Sequence, residues 1–235
     1  MKLFEPHLFV AKRNTKLPFR LLRPAEGARR ERYPLVVFLH GAGERGSNNR
    51  AQLKWCVGDF AKREVREKHP AFVVVPQCPK GQKWVETPWD EDRFHPMPVD
   101  PSPPIRALIG LLDRLERELP LDSRRIYVGG LSMGGYGTWD LLARQPERFA
   151  AAFPICGGGD PTMAKTFAQV PIWAFHGAND DVVPIARSKE MVDALKAASA
   201  PNVRFSAYPG VGHHSWLNAF AEPELFDWLF AQRRP

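Results

Sequence analysis

The stretch IYVGGLSMGG, residues 126–135, sets a single serine, Ser132, among glycines directly after an apolar segment. Glycine fits where a chain turns sharply or where another backbone comes close. The motif G-x-S-x-G stands here between an apolar segment and a helical pattern. This order is typical of a strand that leads through a tight turn into a helix, with the serine hydroxyl presented at the turn. The stretch therefore predicts a nucleophilic serine, while a glycine-rich turn without a chemical role is the alternative for the motif alone.

Apolar runs alternate with helical patterns on both sides of this stretch. Six short runs predict strands, and most are continuous rather than alternating, as in strands covered on both faces. The predicted strands cover residues 36–39, 72–75, 126–128, 151–155, 172–175 and 203–208, and the predicted helices cover about 104–118, 133–144, 185–198 and 223–230. This alternation predicts βαβ units and an α/β fold with a mostly parallel sheet.

Length and composition narrow the classes of protein. The 235 residues suffice for one large domain, and neither a repeat nor a second domain is visible, so we predict a single domain over residues 1–235. The net charge is +7, but the basic residues are scattered among acids, which predicts no nucleic-acid partner. The lack of a long apolar run or signal-peptide core predicts no membrane contact and a cytoplasmic location, with a removed leader as the alternative.

Cys56, Cys78 and Cys156 are predicted to be buried thiols, since their number and spacing fit neither a disulfide framework nor a CxxC-type zinc site.

A serine nucleophile needs a base and a carboxylate that orients the base. The stretch HGANDDVVP, residues 176–184, follows a predicted strand and supplies Asp180 and Asp181. Asp160 follows the preceding strand and is a third candidate for the acid. Carboxyl ends of parallel strands carry the functional loops, so position alone leaves the three aspartates open.

The base is predicted in the stretch YPGVGHHSW, residues 208–216, where His213 and His214 follow the last predicted strand. Histidine titrates near neutral pH and has two distinct nitrogens, so one can accept a serine proton while the other bonds the acid. Only one of these adjacent side chains can face Ser132, and the residues alone leave the choice open.

A glycine-rich loop, GAGERG, follows the predicted strand 36–39. A loop in this position commonly contributes an amide to an oxyanion hole, together with the amide of the residue after the nucleophile. We therefore predict the amides of Ala42 and Met133 as the two donors. His40, at the start of the loop, is predicted to be a structural anchor.

The segment 81–104 contains too many prolines for a regular element and too many aromatic residues for a flexible linker. It is predicted to be an ordered loop that forms one wall of the site. Trp84 in this loop and Trp216 beside His213 are predicted to present aromatic faces to a substrate, with packing in the core as the alternative.

The motifs LHGAGERG, VVVPQCP, GLSMGGYGTWDL, HGANDDVVP and GVGHHSW resemble those of the α/β-hydrolase superfamily, especially its compact carboxylesterase, phospholipase and dienelactone-hydrolase-like group, including members described as predicted peptidases. The resemblance covers the chain from about Leu17 to its end. It implies an α/β-hydrolase fold with helices on both faces of the sheet and no large cap domain. It also implies that Asp180 is the acid, that His213 is the base, and that Ala42 supplies an oxyanion amide. His214 is a departure, because a polar residue other than histidine often follows the base in this family.

Together these features predict a serine hydrolase that cleaves small carboxylic esters, preferably short-acyl or aryl esters, through an acyl-enzyme intermediate. No cofactor and no metal are predicted, because the chain lacks an HExxH motif, a phosphate-binding P-loop and a G-x-G-x-x-G after its first strand. A serine peptidase or amidase with the same residues is one alternative, and a non-catalytic binding protein of the same fold is another. The sequence predicts no oligomeric state.

Overall fold

Eight strands form one sheet in a computed structural model of the chain, which describes residues 2–12, 15–25, 27–28 and 30–235. The strands are β1 (Phe4–Val10), β2 (Lys16–Leu22), β3 (Tyr33–Leu39), β4 (Phe72–Pro76), β5 (Leu121–Leu131), β6 (Ala151–Ile155), β7 (Ile172–Gly177) and β8 (Val203–Tyr208). Their order across the sheet is β1-β2-β4-β3-β5-β6-β7-β8. The pairs from β4 to β8 are parallel, whereas β1 pairs antiparallel with β2 and β2 with β4. The predicted mostly parallel sheet is confirmed.

Helices cover both faces of this sheet. They are α1 (Arg63–Lys68), α2 (Pro103–Glu118), α3 (Met133–Arg144), α4 (Ala186–Ala197), α5 (Trp216–Ala221) and α6 (Leu225–Ala231). Alternate residues of β3 point into two separate cores, one shared with α2, α3 and α4 and the other with α5 and α6. Both faces of the central strands are therefore buried, which explains their continuous apolar sequences. None of the described helices is long and apolar enough to cross a membrane.

The sequence supplies the signals that begin and orient α2. The Ser102 hydroxyl accepts a hydrogen bond from the amide of Ile105, and prolines occupy the first turn, where a missing amide hydrogen costs nothing. Apolar residues at three-to-four spacing then form a buried stripe against the sheet. The preceding segment, 81–102, contains no regular helix or strand, as predicted for the proline-rich loop.

The N-terminal hairpin of β1 and β2 was missing from the predicted strands. Pro6 and Pro18 lie within these strands and interrupt the sequence pattern. Proline is tolerated where a missing amide hydrogen breaks no ladder. Pro6 lies on the edge strand β1, and Pro18 precedes Phe19, the first residue of β2 that pairs with β4. The short helices α1 and α5 were also missing from the prediction. Their six residues each are too few to show a helical period.

Candidate active site

Ser132 occupies a strained turn between β5 and α3. Its backbone has φ 54° and ψ −121°, in a region that residues with a side chain rarely adopt. A Cβ atom at Gly134 would lie 2.1 Å from the carbonyl oxygen of Leu39, and one at Gly130 would lie 2.5 Å from the carbonyl oxygen of Gly134. Glycine is therefore required at both positions, and the turn that they permit raises the serine above the sheet edge.

The structure brings Asp180 and His213 together with Ser132. Asp180 follows β7 and His213 follows β8, so both side chains lie at the carboxyl edge of the sheet. His213 Nε2 lies 2.9 Å from Ser132 Oγ, and His213 Nδ1 lies 2.8 Å from Asp180 Oδ2 and 3.0 Å from Oδ1. The acid fixes the hydrogen of the imidazole on Nδ1, which leaves Nε2 free to accept the serine proton.

The Asp180 carboxylate is held by hydrogen bonds on both oxygens. The amides of Val182 and Val183 each donate to Oδ1 over 2.9 Å, and His176 Nε2 lies 3.2 Å from Oδ2. Burial raises the pKa of this carboxyl, but the hydrogen bonds from His176, His213 and the two amides outweigh burial and hold its pKa well below the usual range. Asp180 therefore stays ionised in neutral solution.

The structure places the three alternative residues elsewhere. Asp181 is exposed to solvent. Asp160 accepts hydrogen bonds from the amides of Thr162 and Met97, so it caps the 3₁₀ helix Pro161–Phe167 and ties down the 81–104 loop. The exposed His214 ring packs on neighbouring tryptophans rather than on the serine.

The loop after β3 leaves an amide free beside the serine. Its 3₁₀ turn, Ala42–Glu44, has its carbonyl groups engaged, since Arg45 Nε donates to the Ala42 oxygen and Gln77 Nε2 to the Glu44 oxygen. Within the described part of the chain, neither the Ala42 amide nor the Met133 amide donates to a backbone or side-chain acceptor. Both predicted donors are thus available to a substrate oxygen.

His40 anchors this loop, as predicted. It is buried, its Nδ1 donates to the Gly41 carbonyl oxygen over 2.6 Å, and its Nε2 accepts from the Cys78 amide over 2.9 Å. Burial lowers the pKa of His40 to about 4, so the ring is neutral. Trp84 is wholly buried and donates through Nε1 to the His40 carbonyl oxygen over 3.1 Å. The prediction that Trp84 faces a substrate is wrong, because the indole packs beneath the loop.

The buried His40 predicts a loss of stability in acid. Its pKa is about 4 in the folded chain, against about 6.5 when unfolded, so between these values the unfolded chain binds the extra proton. Stability contributed by the neutral ring is therefore lost as the pH falls from about 6.5 to about 4, by about 3 kcal/mol. Urea unfolding at neutral pH and near pH 4 measures the fall in the free energy of unfolding. We expect this fall to be smaller in His40→Gln than in the wild-type chain, because glutamine does not titrate. An equal loss in both proteins would contradict the prediction.

Ser132 and His213 line a cleft of about 280 Å³, together with Ala42 of the loop after β3. Trp216, predicted to present an aromatic face, lines this cleft, and Trp89 lines it from the 81–104 loop, which therefore supplies part of the wall as predicted. Trp55, Lys54 and Glu44 also line the cleft and were missed by the sequence analysis. Their contacts come from irregular segments whose packing no periodic pattern reports.

His176 is a further residue that was missed. Its Nε2 faces two acceptors, the Val183 carbonyl oxygen at 2.9 Å and Asp180 Oδ2 at 3.2 Å, so this nitrogen carries a hydrogen. Its Nδ1 lies 2.7 Å from Ser188 Oγ. His176 therefore braces the acid from below. The available signal was its position at the end of a strand, four residues before Asp180.

Cys156 is the third possible metal ligand beside Asp180 and His213. Potential ligand atoms of these three residues lie within 4.8 Å of one another. The Asp180 and His213 atoms are bonded to each other over 2.8 Å, which leaves no space for an ion between them. Burial also raises the pKa of the Cys156 thiol, so the thiolate that a metal requires is disfavoured. The cluster suits proton transfer better than metal binding.

Comparisons with known proteins agree with this arrangement. The profile of a family described as phospholipase/carboxylesterase matches residues 101–224, more than half of the chain. A thermostable esterase of known structure superposes with a TM-score of 0.90 at 38% identity, over 99% of this chain and 64% of that one. Mouse lysophospholipase-like protein 1 is 26% identical over 84% of this chain and 86% of its own length.

Other relatives are much longer. A bifunctional acetylxylan esterase/xylanase of Neocallimastix patriciarum is 27% identical over 64% of this chain, and the match spans 20% of that enzyme. An uncharacterized secreted protein of Arthroderma benhamiae is 24% identical over 77% of this chain, and the match spans 21% of its length. This chain thus spans about a fifth of these two relatives. The family profile, the sheet topology and the structural match together show that the chain belongs to the phospholipase/carboxylesterase family of α/β hydrolases.

Proposed function

We propose that this chain is a serine esterase that hydrolyses small carboxylic esters with Ser132, His213 and Asp180. The observation that carries the proposal is the continuous hydrogen-bonded path from Ser132 Oγ through His213 to the Asp180 carboxylate. Family membership supports it, and the thermostable esterase at 38% identity supports esters as the substrates.

The geometry supports acyl transfer through a covalent intermediate. Ser132 Oγ attacks the ester carbonyl carbon while His213 Nε2 takes the hydroxyl proton, and the ionised Asp180 stabilises the resulting imidazolium. The amides of Ala42 and Met133 donate to the oxyanion of the tetrahedral intermediate. His213 then returns its proton to the leaving alcohol oxygen as the ester C–O bond breaks. Water repeats the same steps on the acyl-serine and releases the carboxylic acid.

The shape of the cleft supports short substrates. Its walls are aromatic, with Trp55, Trp89 and Trp216 on different segments. The described helices and strands belong to the single sheet and its covering layers, without a large cap over Ser132. A short acyl group or an aromatic ring fits such walls, whereas a long lipid chain would extend into solvent.

A panel of p-nitrophenyl esters, from acetyl to decanoyl, tests this proposal together with the matched anilide p-nitroacetanilide. We expect kcat/KM to be highest for the shortest esters and hydrolysis of the anilide to be far slower. Faster cleavage of the anilide would favour an amidase. A rate that rises with acyl length and requires a lipid interface would contradict the substrate class.

A further inference from the structure

A carboxyl group lies beside the nucleophile and has no part in the proton relay described above. Glu44 belongs to the 3₁₀ turn that carries the Ala42 amide, and only 6% of its surface is exposed. Its Oε1 accepts a hydrogen bond from Trp55 Nε1 over 3.1 Å. A buried acidic side chain is costly unless its charge is compensated, so its place in a binding cleft calls for a reason.

The second oxygen of Glu44 lies close to the reacting serine. A Cβ atom built on Gly41 would be 3.2 Å from Glu44 Oε2 and 3.6 Å from Ser132 Cβ. Oε2 and the serine side chain therefore flank the same point of the loop. An ester carbonyl bound at Ser132 would place its neighbouring atoms within reach of this oxygen.

Glu44 has spare capacity to accept hydrogen bonds. A carboxylate offers about four acceptor sites, and among the described side chains only Trp55 bonds this one. Glu44 also lines the cleft that contains Ser132 and His213. Burial raises the pKa of the Glu44 carboxyl above its usual range, although hydrogen bonds from the Trp55 indole and from the backbone of Gly41 and Glu44, and the Lys54 charge, oppose this shift. A substrate that enters the cleft therefore meets a carboxyl group with remaining capacity to accept a hydrogen bond.

The surroundings fix the direction of this oxygen. Trp55, which holds Oε1, packs against His214 and Trp216 with ring centroids 5.7 Å and 5.6 Å apart, and Lys54 Nζ lies 4.5 Å from the centre of the Trp55 ring. The Glu44 backbone is held by Gln77, whose Nε2 donates to its carbonyl oxygen over 3.0 Å. Restraint at both ends makes Glu44 a preorganised acceptor rather than a mobile surface charge.

We propose that Glu44 is a specificity-determining residue, which accepts a hydrogen bond from a hydroxyl group that the substrate carries close to its ester linkage. This inference rests on the proposed esterase function and names a substrate class for it, the hydroxylated esters. The aromatic walls contact the apolar part of such a substrate, and Glu44 recognises its donor. An ester without the hydroxyl displaces water from the carboxylate and offers no hydrogen bond in return. The unpaired carboxylate then weakens binding of the transition state for that ester.

Two matched pairs of esters test the inference. Ethyl lactate against ethyl propionate places the hydroxyl on the acyl side, and ethylene glycol monoacetate against ethyl acetate places it on the alcohol side. We expect the wild-type chain to prefer the hydroxylated ester of at least one pair by roughly tenfold in kcat/KM, the effect of one hydrogen bond to a charged group. The ratio of two substrates in one preparation does not depend on the fraction of folded enzyme.

The variants assign the preference to the carboxylate. In Glu44→Ala the ratio should fall close to one, and in Trp55→Phe, which keeps the ring and removes the indole donor, it should fall partly. Glu118→Gln changes an exposed carboxylate at the far end of α2 and should keep the wild-type ratio. Hydrolysis without preference in the wild type, or a preference that survives in Glu44→Ala, would overturn the role of Glu44 alone. Failure to hydrolyse any ester would overturn the proposed function and this inference with it.

Discussion

Replacement of Ser132 by alanine should abolish ester hydrolysis, with a loss in kcat of roughly 10⁴- to 10⁶-fold. In the proposed reaction the hydroxyl oxygen forms the covalent bond to the acyl group, and no other described hydroxyl lies against His213 Nε2. Alanine keeps the Cβ atom and suits a turn that already tolerates a side chain at positive φ. The fold should therefore survive while the nucleophile is lost.

Covalent labelling separates loss of the nucleophile from loss of the fold. A fluorophosphonate probe should label the wild-type chain and Ser123→Ala, in which an exposed serine on β5 is changed, but not Ser132→Ala. Labelling that persists in Ser132→Ala would show that another residue is the nucleophile. A wild-type chain that does not react would remove the support for a serine hydrolase.

Replacement of His213 by alanine should cost almost as much as loss of the serine, because residues of such a relay act as one unit. Without the imidazole, the serine proton has no acceptor and the leaving alcohol has no proton donor. His214→Ala should reduce kcat/KM by about tenfold or less, since its exposed ring packs on Trp55 and Trp216 and loss of these two contacts is worth roughly 1–2 kcal/mol.

The same substitution at two adjacent histidines decides which of them is the base, because each variant serves as the control for the other. Hydrolysis of p-nitrophenyl acetate by both proteins, with equal circular dichroism spectra, gives the result directly. A larger loss in His214→Ala than in His213→Ala would mean that the base had been assigned to the wrong residue.

The sequence was informative wherever a physical constraint acts on neighbouring residues. Strands covered on both faces need continuous apolar runs, and a sharp turn needs glycine at defined positions, so the parallel sheet and the turn at Ser132 were predictable. The order of the loops along one sheet edge also predicted that the candidate aspartates and histidines lie near the serine, and the family resemblance selected Asp180 and His213 among them. The hairpin of β1 and β2 was missed, because prolines on the edge strand β1 and ahead of the pairing of β2 with β4 interrupt the apolar pattern.

The walls of the cleft were less predictable than its chemistry. Trp84 and Trp89 lie five residues apart in one proline-rich loop, yet only the second lines the cleft. Whether an indole packs in the core or lines the cleft depends on contacts with residues distant in sequence. Trp84 is held in the core by its hydrogen bond to the His40 carbonyl oxygen. Glu44 and Trp55 lie on two irregular segments, and the hydrogen bond between them exists only because the fold brings these segments together. No local period encodes such meetings.

The close approach of Gly134 to the end of β3 has a consequence for how this protein can diversify. Because the Leu39 and His40 carbonyl oxygens lie against this glycine, the start of α3 packs directly on the start of the loop carrying Ala42. This backbone contact helps to set the position of Ser132 relative to the amides of Ala42 and Met133, together with the side chains that hold the loop. The Trp89 and His214 side chains of the cleft wall take no part in that contact. Substitutions at these wall positions can therefore change the range of substrates without disturbing the contact between α3 and the loop after β3.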